Sequence, residues 1–201
     1  MLTKKALAGG GAAAIMLLSL AISTASANRL SMNTSQWVAT WREMTIEGSF
    51  GRINCPLTLE GELHSRTFAK TRSSLIGYVN EARSGTCSGF TGTVLRERLP
   101  WHVQYDSFTG TLPTIASVSL RIIGFEFKIR ETFGVECLFR STEARPLSAA
   151  LTREAGSVVR SVTLSGRFAA EACAGLEATF GGTSTSFTIP PPPSAIRLTL
   201  I

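Results

Sequence analysis

From Gln36 onward, apolar and polar residues alternate with a period of two in one segment after another. An extended chain points successive side chains to opposite faces, so each such segment predicts a strand with one buried face. The clearest runs from Ile53 to His64. Ile53, Cys55, Leu57, Leu59, Gly61 and Leu63 share one parity, and Asn54, Pro56, Thr58, Glu60, Glu62 and His64 share the other. Pro56 has no amide to donate, which predicts a strand start, an edge or a bulge at that point. Trp37, Ala39 and Trp41 alternate with Gln36, Val38 and Thr40, and Trp101, Val103 and Tyr105 alternate with His102, Gln104 and Asp106. Val118, Leu120 and Ile122 have the opposite parity to Phe125, Phe127 and Ile129, and the two runs meet at Ile123-Gly124. Either the chain bends or bulges at Gly124, bringing all six apolar residues to one side, or a strand there is covered on both faces.

The remaining segments are shorter. Leu75–Val79, Thr91–Leu95, Val158–Leu164 and Leu176–Phe180 predict strands, and Ile196, Leu198 and Leu200 predict a last strand tied into a sheet. Leu147–Glu154 reads as a short helix ended by Gly156, Phe168–Ala174 is ambiguous, and Pro190–Pro193 must be extended polyproline. About ten β segments without a long helical pattern predict an all-β fold, a single-domain antiparallel sandwich or barrel. Strand order stays open.

The start of the chain adds a compartment. Lys4 and Lys5, the apolar run Ala6–Ile22 and the small residues Ala25-Ser26-Ala27 have the order of a secretory signal peptide over residues 1–27. A single domain of residues 28–201 would remain, secreted or held on the extracellular face of the cell envelope, with no integral membrane segment after cleavage. Cys55, Cys87, Cys137 and Cys173 make an even set, which in an exported chain predicts two disulfides. Sequential pairing, Cys55–Cys87 and Cys137–Cys173, joins neighbouring β segments and closes the shorter loops. Such wide gaps do not suit zinc.

The net charge is +6, and +4 without the leader. The arginines are spread from Arg29 to Arg197 with no basic stripe between aromatic platforms, so a nucleic-acid partner is not expected. Weak attraction to an acidic envelope surface fits the charge.

Candidate chemistry is sparse. The chain has no GxSxG, HExxH or P-loop motif. Asp106 and His102 share a strand face but lie about 13 Å apart along an extended strand. Glu60, Glu62 and His64 project from one face at intervals of about 7 Å, too far apart for one ion. They read as a solvated face, as do Glu126, Lys128 and Arg130. Asn33-Thr34-Ser35 is a formal glycosylation sequon. No catalytic residue, metal or cofactor is expected. Trp37, Trp41, Trp101, Tyr105, Phe125 and Phe127 are core aromatics by their alternation, and would face a ligand if the interior were hollow. A hollow interior needs small residues among large ones, and Gly61, Gly77 and Gly92 are the candidates, although close packing favours phenylalanines from other strands filling these gaps.

Three stretches carry a resemblance: Asn54-Cys55-Pro56-Leu57-Thr58-Leu59-Glu60-Gly61, then Cys87 with Leu99-Pro100-Trp101-His102-Val103, then Tyr105 through Pro113. With the four cysteines and the Thr199-Leu200-Ile201 ending, the chain resembles a group of uncharacterised secreted four-cysteine β proteins of high-GC actinobacteria, over most of its mature length. More distantly it resembles the exported alkane-oxidation activator proteins of pseudomonads. The distant resemblance implies a secreted role around apolar substrates or cell-surface properties, and neither family supplies catalytic residues. The expected function is therefore that of a non-enzymatic exported β domain that binds or interacts at the cell surface. The alternatives are a carrier of a small apolar ligand inside the barrel or sandwich, and a hydrolase using His102 or His64. An apolar small molecule or an envelope component is the partner class these readings share.

Overall fold

The computed structural model describes residues 29–88, 90–110, 114–130, 134–154, 156–171, 173, 175–190 and 194–201. The predicted signal peptide, the predicted turn at Leu112-Pro113 and residues 191–193 of the proline run lie outside the described residues. Among the described residues fifteen strands are formed: β1 (Arg29–Met32), β2 (Gln36–Gly48), β3 (Gly51–Leu63), β4 (Thr67–Ala69), β5 (Leu75–Ser84), β6 (Thr91–Val94), β7 (Trp101–Thr109), β8 (Ser117–Ile123), β9 (Glu126–Arg130), β10 (Glu136–Arg140), β11 (Leu147–Arg153), β12 (Val159–Glu171), β13 (Glu177–Thr183), β14 (Ser186–Thr188) and β15 (Leu198–Leu200).

Eight of them close on themselves. β2, β3, β5, β7, β8, β11, β12 and β13 pair antiparallel, each with the next, and β13 returns to β2 with Phe180 opposite Ile46. The result is a barrel rather than a sandwich, and closure leaves these strands no free edge. β14 continues the β13 side of the ladder, with Phe187 opposite Ala39. At Pro56 the β2–β3 register shifts between Trp41 and Met44, so the proline sits at a bulge, and its carbonyl accepts the Gly85 amide at 3.1 Å.

The predicted helix at Leu147–Glu154 is instead strand β11. Leu147, Ala149 and Leu151 are buried at a period of two, and the backbone pairs with β8 on one side and β12 on the other. Two flanking ladders outweigh the helical preference of a short Ala-Ala stretch. The ambiguous segment Phe168–Ala174 is extended within β12 as far as Glu171, and residues 172 and 174 lie outside the described residues.

Gly124 takes the bend. Its φ is +95°, a left-handed value that suits glycine, and the chain leaves the barrel there between β8 and β9. Ser141 anchors the turn: its amide donates to the Phe125 carbonyl, and its hydroxyl accepts the Phe125 amide at 2.9 Å. Val118 and Ile122 before the bend, and Phe125, Phe127 and Ile129 after it, are all buried.

Two smaller sheets close the ring. β6, β9 and β10 extend from the end of β12, where Phe139 faces Ala170. They bring Phe125, Phe127 and Phe139 against the inward-facing Phe168 and Phe180, with Phe180 the hub at 5.1–5.7 Å between centroids. The disulfides pair in sequence order, Cys55–Cys87 and Cys137–Cys173, and both tie this aromatic plug to the barrel. At the other end β1 lies between β15 and β4. Leu30, Met32, Phe68, Ile196 and Leu198 of this terminal sheet and its approach are buried, and Arg29 and Ile201 exchange backbone hydrogen bonds of 3.2 and 3.0 Å.

Candidate functional site

Between the plug and the terminal sheet the barrel holds an apolar chamber of about 30 Å³. Trp37, Ala39 and Trp41 of β2 line it, with Leu59, Leu63, Val103, Leu120, Ile122, Ala149, Leu151, Val162, Leu164 and Phe187, and Met32 closes it from β1. Ala39 and Ala149 are the smallest side chains lining it. A volume of that order admits a water or two, but carbon walls give water no partner, so the chamber stays dry. It is well below the several hundred cubic ångström of a site for a drug-sized ligand.

The candidate glycines for a hollow interior are filled in, as close packing favours. The Trp37 ring comes within 2.4 Å of where a Gly61 Cβ would sit, and the Phe127 ring within 2.6 Å of the same point on Gly92. At Gly77 the Glu62 carbonyl would lie at 2.2 Å. These positions are glycine so that a ring or a neighbouring strand can press against the backbone, not to make a cavity.

The six candidate aromatics are all buried but do not share one site. Trp37 and Trp41 line the chamber, and the Trp41 Nε1–H donates to the Val162 carbonyl at 3.1 Å. Trp101, Phe125 and Phe127 belong to the plug, where Trp101 packs edge-on against Phe125 at 5.3 Å. The Trp101 indole N–H is buried there without a partner. Tyr105 sits beneath the terminal sheet at 6.4 Å from Phe68, and burial, with a smaller contribution from Asp106, pushes its phenol above the ordinary range.

The residues weighed for catalysis or metal binding are engaged elsewhere. His64 and His102 flank Tyr78 on the outer face of β3, β5 and β7, with ring centroids 4.8 and 5.5 Å from the tyrosine. Asp106 accepts from Arg72 at 3.0 Å, and Glu60 from Arg83 at 2.7 Å. Among the described residues, no three His, Cys, Asp or Glu side chains converge on a position for an ion.

Glu126 departs from the solvated face expected of it. It is 3 % exposed and lies between Arg98 and Arg140, and Arg140 also reaches Glu171. The bend at Gly124 turns β9 onto the barrel end, so one face of the strand meets the phenylalanines while the other is roofed by arginine stems. Lys128 and Arg130 behave as expected of an outer face and bond across the ladder to Glu136, holding its carboxyl below the usual range.

Two arrangements went unread in the sequence. The first is a polar knot outside β7 and β8, where Gln104 donates to Glu143 at 2.6 Å and Arg121 donates to Gln104, Ser73 and the Glu143 carbonyl. The second is a division among the arginines. Arg52, Arg83, Arg96, Arg145, Arg160 and Arg167, for example, each meet a carboxylate. Arg29, Arg66, Arg197 and Arg42 are exposed and meet no carboxylate among the described residues, and all but Arg42 belong to the terminal sheet or its approach. Asn33 clasps the same region. Its Nδ2 donates to the Ala195 carbonyl at 3.1 Å and its Oδ1 accepts the Arg197 amide at 2.7 Å, so both ends of the sequon amide are in use.

Two closed disulfides and no free cysteine are compatible with an oxidising location. No family model, no curated protein and no solved structure matches the chain.

Proposed function

We propose that the protein is a non-enzymatic exported barrel that works by binding at or beyond the cell envelope. The observation that carries this is the engagement of its reactive side chains. The only two histidines pack at a tilt against Tyr78, and Asp106 and Glu60 are held by arginines. The signal-peptide pattern of residues 1–27 and the two disulfides support export. Expression of the full chain followed by cell fractionation tests the reading. A disulfide-bonded protein beginning at Asn28 is expected outside the cytoplasm, in the medium or on washed envelopes. A reduced, uncleaved, cytoplasmic protein would overturn export. Ester or glycoside turnover that vanishes in His102→Ala or His64→Ala would overturn the non-enzymatic half.

A second reading is a carrier of a small apolar molecule, for which the apolar chamber of about 30 Å³ would have to open to admit the ligand. Thermal unfolding with short hydrocarbons and with fatty acids tests it, since a ligand at a hundred times its dissociation constant adds about 2.7 kcal/mol. An unshifted transition with every such ligand would leave the surface reading alone.

A further inference from the structure

We propose that the outward face of the terminal sheet is a docking surface for a bilayer containing anionic phospholipid. The parity of the three strands sorts their side chains. Leu30, Met32, Phe68 and Leu198 point in, and Arg29, Ser31, Thr67, Ala69, Arg197 and Thr199 are left on the outside, exposed or half-buried. This outer face carries no aspartate or glutamate on any of its three strands. Between the arginines the side chains are short, which lets a flat surface approach closely.

The charge here is available as it is on little else of the molecule. Arg29 and Arg197 stand on the face, Arg66 stands at its edge beside Met32, and none of the three has a carboxylate among the described residues. Lys70, at the foot of β4, lies over the Phe108 ring at 5.0 Å and adds to the positive potential. Elsewhere most arginines are matched, so much of the net +4 left after removal of the leader falls at this end. Among the described residues, two of the three exposed large apolar side chains border the same end: Ile201, 55 % exposed and paired to Arg29, and Leu75, 40 % exposed just beyond the loop leaving β4. Guanidinium groups with isolated apolar side chains on a flat face match a phospholipid headgroup layer: the charges meet phosphate, and the apolar side chains enter the interface. The proposal rests on the reading of the protein as an envelope-binding domain and names what this face of it meets. Vesicle binding can fail while envelope fractionation succeeds, so the two failures are distinguishable.

The test is co-sedimentation of the disulfide-bonded chain with vesicles of phosphatidylcholine alone and of phosphatidylcholine with phosphatidylglycerol. Binding is expected only with the anionic lipid, and it should weaken as salt shortens the screening length. Three arginines near an anionic surface account for a change on the order of 100-fold, so Arg29→Ala/Arg66→Ala/Arg197→Ala should lose about that much. Arg42→Ala removes another exposed arginine, at the β2 bulge, and should bind as the parent does. Unchanged near-ultraviolet circular dichroism shows that each variant is folded. If the triple variant does not fold, Arg29→Ala and Arg197→Ala singly should each cost about five-fold. Binding indifferent to the anionic lipid, equal losses in Arg42→Ala, or no loss in the terminal-sheet variants would overturn the proposal. Tight binding of soluble polyphosphate without vesicle binding would overturn it too, assigning the face to a dissolved polyanion.

Discussion

Replacing Phe180 by alanine is expected to destabilise the protein by about 3–5 kcal/mol, a large share of the stability of an ordinary domain. Phe180 is fully buried on β13, and four rings converge on it: Phe125, Phe127 and Phe139 at 5.7 Å and Phe168 at 5.1 Å. Three of those rings belong to the chain that turns out of the barrel at Gly124, and one belongs to the barrel wall. The hole left by truncation would therefore lie between two units. The barrel wall cannot collapse into it, because its strands are held by ladders on both sides. Edge-on ring contacts would be lost together with the buried area. Urea denaturation with an unchanged slope measures the effect. A loss under about 1 kcal/mol would mean that the plug is not the packed centre described here.

Removing both disulfides is expected to have an effect of comparable or greater size. They close loops of 32 and 36 positions, and chain entropy assigns each about 4 kcal/mol. The loops do not overlap, so the two contributions should add, and their sum approaches a whole domain's stability. Cys55 and Cys137 are buried among apolar side chains, so alanine is the suitable replacement for each pair. The variant lacking all four cysteines should be largely unfolded at body temperature, and each single-pair variant should fold with a lowered melting point. A reduced protein that melts where the oxidised one does would contradict this.

The strands were legible where period-two alternation had no competitor, as in β3, where every residue expected to face inward is buried. Gly124 was legible because two runs of opposite parity leave few ways to keep six apolar residues out of water. β11 was not, because Leu147, Ala149, Ala150 and Leu151 satisfy a helical and an extended pattern equally and only the flanking ladders decide. Barrel closure was hidden for a similar reason: Ile46 faces Phe180 across most of the chain, and nothing local announces that contact. At the glycines the sequence shows a missing side chain but not its neighbour: close packing favours a phenylalanine filling the gap, which holds at Gly92, whereas Trp37 fills it at Gly61 and the Glu62 backbone at Gly77. Glu126 sits in the same alternation as exposed Arg130, and its burial is set by arginines at positions 98 and 140. The terminal arginines looked scattered because charge was followed along the chain, whereas Arg29, Arg66 and Arg197 meet only through pairing of β1, β4 and β15.

The pairing of the two ends also imposes an order in time. Ser31 and Thr199 are bonded across 168 positions, so β1 is among the first strands synthesised and must wait for β15. Until then β4 offers it only three residues of ladder, too few to hold it down. A growing chain can therefore assemble its wall while one mouth stays open, with Leu30, Met32 and Phe68 exposed at the rim. Through that interval the nascent molecule is a sticky cup, prone to capture by its neighbours and by chaperones. The arrival of Leu198–Leu200 works as a latch, and a chain that stalls or is clipped just short of it would carry an intact wall and remain visibly unfinished to any protease that samples the rim.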